Sequence, residues 1–166
     1  MADEEGERLA ALRGYGVLDT PNEPEFDAVV REAASYFGSP IALISLLDAN
    51  RQWFKARVGL DMREMPRTIS FCTHAIRSPD VMTVPDAVLD DRFRNNPLVT
   101  GEPRIRFYAG APLRTPGGKR IGTLCVIDKR PRPNLSDDDM ARLQALAAKT
   151  IALFEERSRR NAAAAA

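Results

Sequence analysis

The chain predicts an α+β domain, with one antiparallel sheet and its helices gathered on one face. Three observations carry this. Apolar residues recur at helical spacing near both ends, two pairs of short strand-like runs are each joined by a tight turn, and an irregular middle, residues 59–103, separates the pairs. At 166 residues and 44% hydrophobic, the chain fits one domain with an ordinary core.

Residues 4–13 have Leu9 and Leu12 on one side of a short helical pattern that Gly14 and Gly16 end, so residues 1–22 read as a leader helix and turn outside the core. Phe26, Val29, Val30, Ala33, Ala34 and Phe37 then follow the spacing of an amphipathic helix, with Pro24 suited to its first turn and Gly38 to its end. Residues 40–47, "PIALISLL", suit a strand covered on both faces, and residues 52–58, "QWFKARV", alternate like a half-exposed one. The turn 48–51 joins them into a hairpin. Residues 59–66 read as a loop and 81–84 as a short strand closed by Pro85. Residues 105–113 and 120–127 are two further strands, paired antiparallel through a turn at Pro116, Gly117 and Gly118. A long helix closes the domain over residues 136–160. Ser136 caps it, three aspartates follow at its positive end, and Met140, Leu143, Ala147, Ile151 and Phe154 form its stripe. That length suggests pairing with a second copy or with outside helices; packing entirely on its own sheet is the alternative. Residues 1–160 thus form one domain, and 161–166 an alanine-rich tail.

Composition removes several functions. Lys and Arg number 24 against 23 Asp and Glu, and their scatter gives no basic face for nucleic acid. The longest apolar run, residues 41–47 with Ser45 inside it, is far short of the ~20 residues that span a bilayer. The acidic amino terminus lacks a secretory signal. A soluble cytoplasmic protein with reduced thiols is expected.

Three stretches, "WFKARVGLDMREMPRTISFCTHAI", "VPDAVLDDRFRNNPLVTGEPRIRFYAGAPL" and "GKRIGTLCVIDKRPRPNLS", resemble the GAF domains of bacterial signalling proteins. Such domains often precede a histidine kinase or a diguanylate cyclase. The resemblance extends over residues 8–155. It implies a five- or six-stranded antiparallel sheet, with the first and last helices on one face and a small-molecule pocket on the other. It also implies a sensory or dimerisation role without catalysis, with ligands that range in the family over cyclic nucleotides, haem, bilins and metabolites. The cofactor therefore stays unknown. The Asn-Lys signature of cyclic-nucleotide binders is absent here, Thr73 separates the Cys-His neighbours typical of bilin binders, and the strand at 106–110 lacks the cysteine of the family's sulfoxide reductases.

The stretch "RTISFCTHAI", residues 67–76, holds the only histidine and one of two cysteines. Cys72 and His74 do not supply the four ligands of a closed zinc site. If Ser70 caps a helix starting at Phe71, Cys72 sits in its first turn, where a thiol pKa falls. A thiol redox sensor or sulfoxide-reductase-like enzyme using Cys72 is thus one alternative, and a buried seam thiol is another. Cys125 reads as a core strand residue or a second thiol. His74 suits haem ligation, pH sensing or a structural hydrogen bond. Trp53, Phe54, Phe71, Phe93, Phe107 and Tyr108 are aromatic candidates for the cavity wall or the core, and alternation allows only one of Phe107 and Tyr108 to face the pocket. The charged candidates are Arg67, Arg92, Arg104, Arg106, Asp86, Asp90 and Asp91, each equally at home in solvent. Residues 86–101 look like the family's lid, which suggests an anionic ligand held by arginine. The expected protein is a ligand-binding sensory module acting as a homodimer, or a structural dimerisation module without ligand.

Overall fold

The computed structural model describes residues 3–165. Among these, six strands form one antiparallel sheet: β1 (Ile41–Leu47), β2 (Arg51–Val58), β3 (Glu64–Pro66), β4 (Met82–Val84), β5 (Phe107–Arg114) and β6 (Arg120–Asp128). Their spatial order is β3-β2-β1-β6-β5-β4. The two hairpins pair as expected, and β1 joins them by pairing with β6, Ser45 opposite Thr123. Every residue of β1 is buried, as its unbroken apolar run requires of a central strand. Residues 64–66, expected as loop, instead form the edge strand β3, whose three residues pair with Arg51, Gln52 and Trp53 of β2. So short a strand carries no periodicity of its own.

One face is covered by α2 (Pro24–Phe37) and α5 (Asp137–Ala165). Phe26, Val29, Val30, Ala33 and Phe37 of α2 are buried, and Gly38 ends that helix with φ 58°, a left-handed conformation that glycine adopts without strain. Leu143, Leu146, Ala147, Thr150, Ile151 and Phe154 of α5 pack on the same layer, and Phe154 stacks on Phe26 at 4.8 Å. Each fully buried large apolar side chain contributes about 1.5–3 kcal/mol. The Ser136 hydroxyl accepts from Asp139 N at 3.1 Å, the cap anticipated for α5.

Two expectations change. α5 continues through Ala165, so the alanines prolong the helix instead of forming a separate tail, as their high helix propensity favours. The leader helix α1 (Glu4–Gly14) is part of the core: Leu12 has no exposed surface and clusters with Val17, Tyr15 and the α2 and α5 residues. The other face of the sheet carries α3 (Cys72–Ala75), α4 (Pro97–Thr100) and the connecting segments of residues 59–106, with a second apolar cluster beneath them.

Candidate functional site

Alternation along the strands sorts the aromatic candidates. Trp53 and Phe107 point to the helix-covered face, whereas Phe54 and Tyr108 point to the other. Trp53 and Phe107 therefore do not line the face opposite the helices. On that face Phe71 stacks on Phe93 at 4.0 Å and lies 5.2 Å from Tyr108, while His74 meets the Phe93 ring edge-on at 4.9 Å. Tyr108 lies flat across Gly110, where a methyl group would fall 2.4 Å from Tyr108 Oη. These rings fill the space between the sheet and the segment above it.

Residues 86–106 are tied down by their own ion pairs and hydrogen bonds. Asp86 holds Arg106 through two bonds of 2.7 and 2.8 Å, and Asn96 caps α4 while its Nδ2 donates to Ile69 O at 3.1 Å. Asp90 pairs with Arg92, whose guanidinium lies 5.0 Å from the Phe93 ring centre. Both aspartates titrate below the ordinary carboxylate range because these arginines bond to them. Arg104 is exposed beside Glu102, and Asp91 pairs with Arg94. None of these charges converges on a common point.

Cys72 and Cys125 come together with Tyr108 and Thr123 in the interior. Both thiols are free and buried. Burial pushes each up to about 12, and at Cys72 the nearby Thr123 hydroxyl and the charges of Arg8 and Arg67 do not offset it. Of the two readings of Cys72, this fits the buried seam thiol and not the activated one. It does lie in the first turn of α3, but that helix is four residues long, and Phe71, not Ser70, holds the cap position. The Ser70 hydroxyl bonds to Gln52 Oε1 instead. His74 is pushed below its usual value by burial and by the positive charges of Arg77 and Arg92, so it is neutral at pH 7. Among the described residues no group of three or more His, Cys, Asp or Glu is placed to hold a metal ion.

Of the sequence candidates, Arg67 lines a concave site. A cleft of about 420 Å³ opens at the end of the sheet between α1, the 67–77 segment and the β5–β6 turn. Arg8, Arg67, Arg77, Lys119 and Arg120 line it with Glu4 and Glu5, an excess of three positive charges. Glu5 accepts from Arg8 Nε and Nη2 at 2.9 Å each and from Arg67 Nη1 at 2.7 Å. Those bonds, Arg8 first, hold its carboxyl down at about 2. Arg120 donates to Ile76 O at 2.6 Å and Lys119 pairs with Glu7. Arg8 belongs to the leader and was not a sequence candidate. Its spacing of three from Glu5 was a visible signal of a helical ion pair, but its neighbours across the chain were not.

An antiparallel six-stranded sheet with terminal helices on one face and short helices and loops on the other is the architecture of a GAF-type domain. The GAF domain family matches residues 22–150, and the chain belongs to that family. It is 51% identical over 142 residues, 86% of its length, to a cyclic di-GMP phosphodiesterase of Pseudomonas aeruginosa. The match covers 24% of that protein, so the chain spans about a quarter of the relative's length. Among solved structures it resembles the GAF domain of a phosphoenolpyruvate-protein phosphotransferase from Coxiella burnetii, with TM-score 0.69, 16% identity and coverage of 97% of this chain and 99% of that one. It also resembles a free methionine-R-sulfoxide reductase from Neisseria meningitidis, with TM-score 0.65, 17% identity and coverage of 97% and 95%. At such identities these likenesses concern the fold alone.

Proposed function

We propose that this chain is a small-molecule-sensing GAF module of the bacterial cytoplasm that passes ligand occupancy through its terminal helices, as a homodimer, to an output domain. The observation that carries this reading is that α1, whose first turns line the cleft, is bonded to α5 at its other end. Tyr15 at the end of α1 donates to Glu155 of α5 at 2.5 Å, and Arg157 of α5 donates to Tyr15 O and Gly16 O at 3.3 Å each. α1 also borders the cleft, so a ligand that favours one position of α1 biases α5. The output we favour handles cyclic di-GMP, as the name of the Pseudomonas aeruginosa relative suggests; a histidine kinase or diguanylate cyclase serves the same logic.

Native mass spectrometry of the freshly purified chain, with the same sample denatured, tests the first half of this reading. A mass lost on denaturation identifies the ligand class. Amide exchange over residues 137–165 with and without that ligand tests the second half, and unchanged exchange in α5 would overturn the relay. A second reading, a structural dimerisation module, is favoured by the ring-filled layer of Phe71, Phe93 and Tyr108. It predicts a dimer whose stability a broad metabolite panel leaves unchanged.

A further inference from the structure

The cleft contains a carboxylate already in place. Glu5 sits between Arg8 and Arg67 as an incoming oxyanion would, with three charge-assisted bonds of 2.7 to 2.9 Å. The grip is larger than its occupant. Arg8 is more than nine-tenths buried, yet its Nη1 has no hydrogen-bond partner. Among the described residues Arg77 has no carboxylate within ion-pair distance, although it lines the same cleft. A buried guanidinium nitrogen without an acceptor is costly, and an anion reaching it would recover that cost. Among the described residues Ser45 Oγ, on the strand face that also carries Thr123, is the other buried side-chain polar atom lacking a partner.

We propose that this cleft is a binding site for a small oxyanion, a carboxylate or a phosphate group, and that its ligand displaces the Glu5 carboxylate from Arg8 and Arg67. Glu5 is the part of the grip that can leave: its side chain is 45% exposed, against 8% for Arg8. The acidic start of α1 is then a tethered competitor, and removing it raises the ligand's apparent affinity. Arg77 and Arg8 Nη1 supply what Glu5 leaves unused. The proposal deepens the sensory reading by naming a ligand class and an entry point, and it stands on the cleft whether or not α5 responds.

The test uses the full chain with isotope-labelled arginines and backbone. Inorganic phosphate is titrated at constant ionic strength, balanced with chloride, and followed by NMR. Saturating shifts confined to Arg8, Arg67, Arg77 and Gly118 are expected. Glu5→Gln should strengthen binding about fivefold, and Arg77→Met should weaken it about tenfold, the loss of one charged hydrogen bond. Arg77 has no structural ion pair, so its variant should fold; Arg67→Met is the harsher companion. Succinate titrated in the same way distinguishes a carboxylate ligand from a phosphorylated one by which saturates first. Linear, non-saturating shifts spread over the surface, or binding indifferent to Glu5→Gln and Arg77→Met, would overturn the site. Saturation without any change in residues 137–165 would sustain the site and overturn the relay of the preceding section.

Discussion

Lys55 gives the sharpest test of how α5 is held. Its side chain has no exposed surface, and its Nζ bonds to Glu23 Oε2 at 2.5 Å and to Thr20 Oγ1 and Pro21 O at 2.8 Å each. Glu23 also accepts from Arg157 of α5 at 2.8 Å. Two unit charges 2.5 Å apart attract by about 7 kcal/mol at an effective dielectric constant of about 20, but withdrawing an ammonium from water costs several kcal/mol. Burial lowers the Lys55 pKa in spite of Glu23, so desolvation outweighs the pair. Glu23→Gln keeps the shape, removes the charge and leaves the ammonium with neutral acceptors. We expect it to destabilise the fold by about 3 kcal/mol, the low end for a broken buried pair because Glu23 is 22% exposed. Lys55→Met removes the buried charge and leaves Glu23 its Arg157 partner, so it should cost less than about 1.5 kcal/mol. The double variant should be more stable than Glu23→Gln alone. Guanidinium chloride unfolding of the four proteins at pH 7 closes the cycle. A Glu23→Gln cost under about 1 kcal/mol, or strictly additive losses, would refute the reasoning. Acid should reproduce the Glu23→Gln loss. Burial raises the Glu23 pKa, but the bonds from Lys55 and Arg157 bring it below 4.5, so its stabilisation is complete above 4.5 and disappears as pH falls through the folded-state value.

Three further outcomes follow from the same structure. With burial holding both thiols at about 12, Cys72 and Cys125 should resist iodoacetamide in the native protein at pH 7 and react on unfolding; prompt stoichiometric labelling, read by mass spectrometry, would restore a reactive Cys72. Phe93→Ala, which empties the ring stacked on Phe71, should cost about 3–5 kcal/mol by denaturant unfolding, and a cost under about 2 would mean the lid is not packed as described. The Glu5 carboxyl should stay ionised down to about pH 2 in a carbon-13 titration, and its hold on α1, complete above 4.5, should fade only as pH falls through about 2; a midpoint near 4.5 would place Glu5 outside the arginine grip.

Much of the fold was legible because periodicity is local. The α2 stripe from Phe26 to Phe37, the buried run of β1 and the glycine turn between β5 and β6 each state their structure within a dozen residues. The site was less so. Arg67 was a sequence candidate and does line the cleft, but Trp53 and Phe107 face the helices, and Asp86, Asp90 and Arg92 are engaged in ion pairs of the lid. Strand alternation says that Phe107 and Tyr108 face opposite ways; it does not say which way until the helices choose a face.

The sequence by itself determined the α+β class, the long helices α2 and α5, the two hairpins and the family to which the chain belongs. Tertiary structure alone decided that Arg8 and Arg67 share Glu5 across the end of the sheet, that β1 pairs with β6, and that Cys72 is buried beside Thr123 instead of activated at a helix end. The physical reason is range. Helical and strand periods are read from neighbours along the chain, whereas a thiol's pKa and an arginine's partner depend on which distant segments exclude water from it, and that is fixed only when the chain has folded.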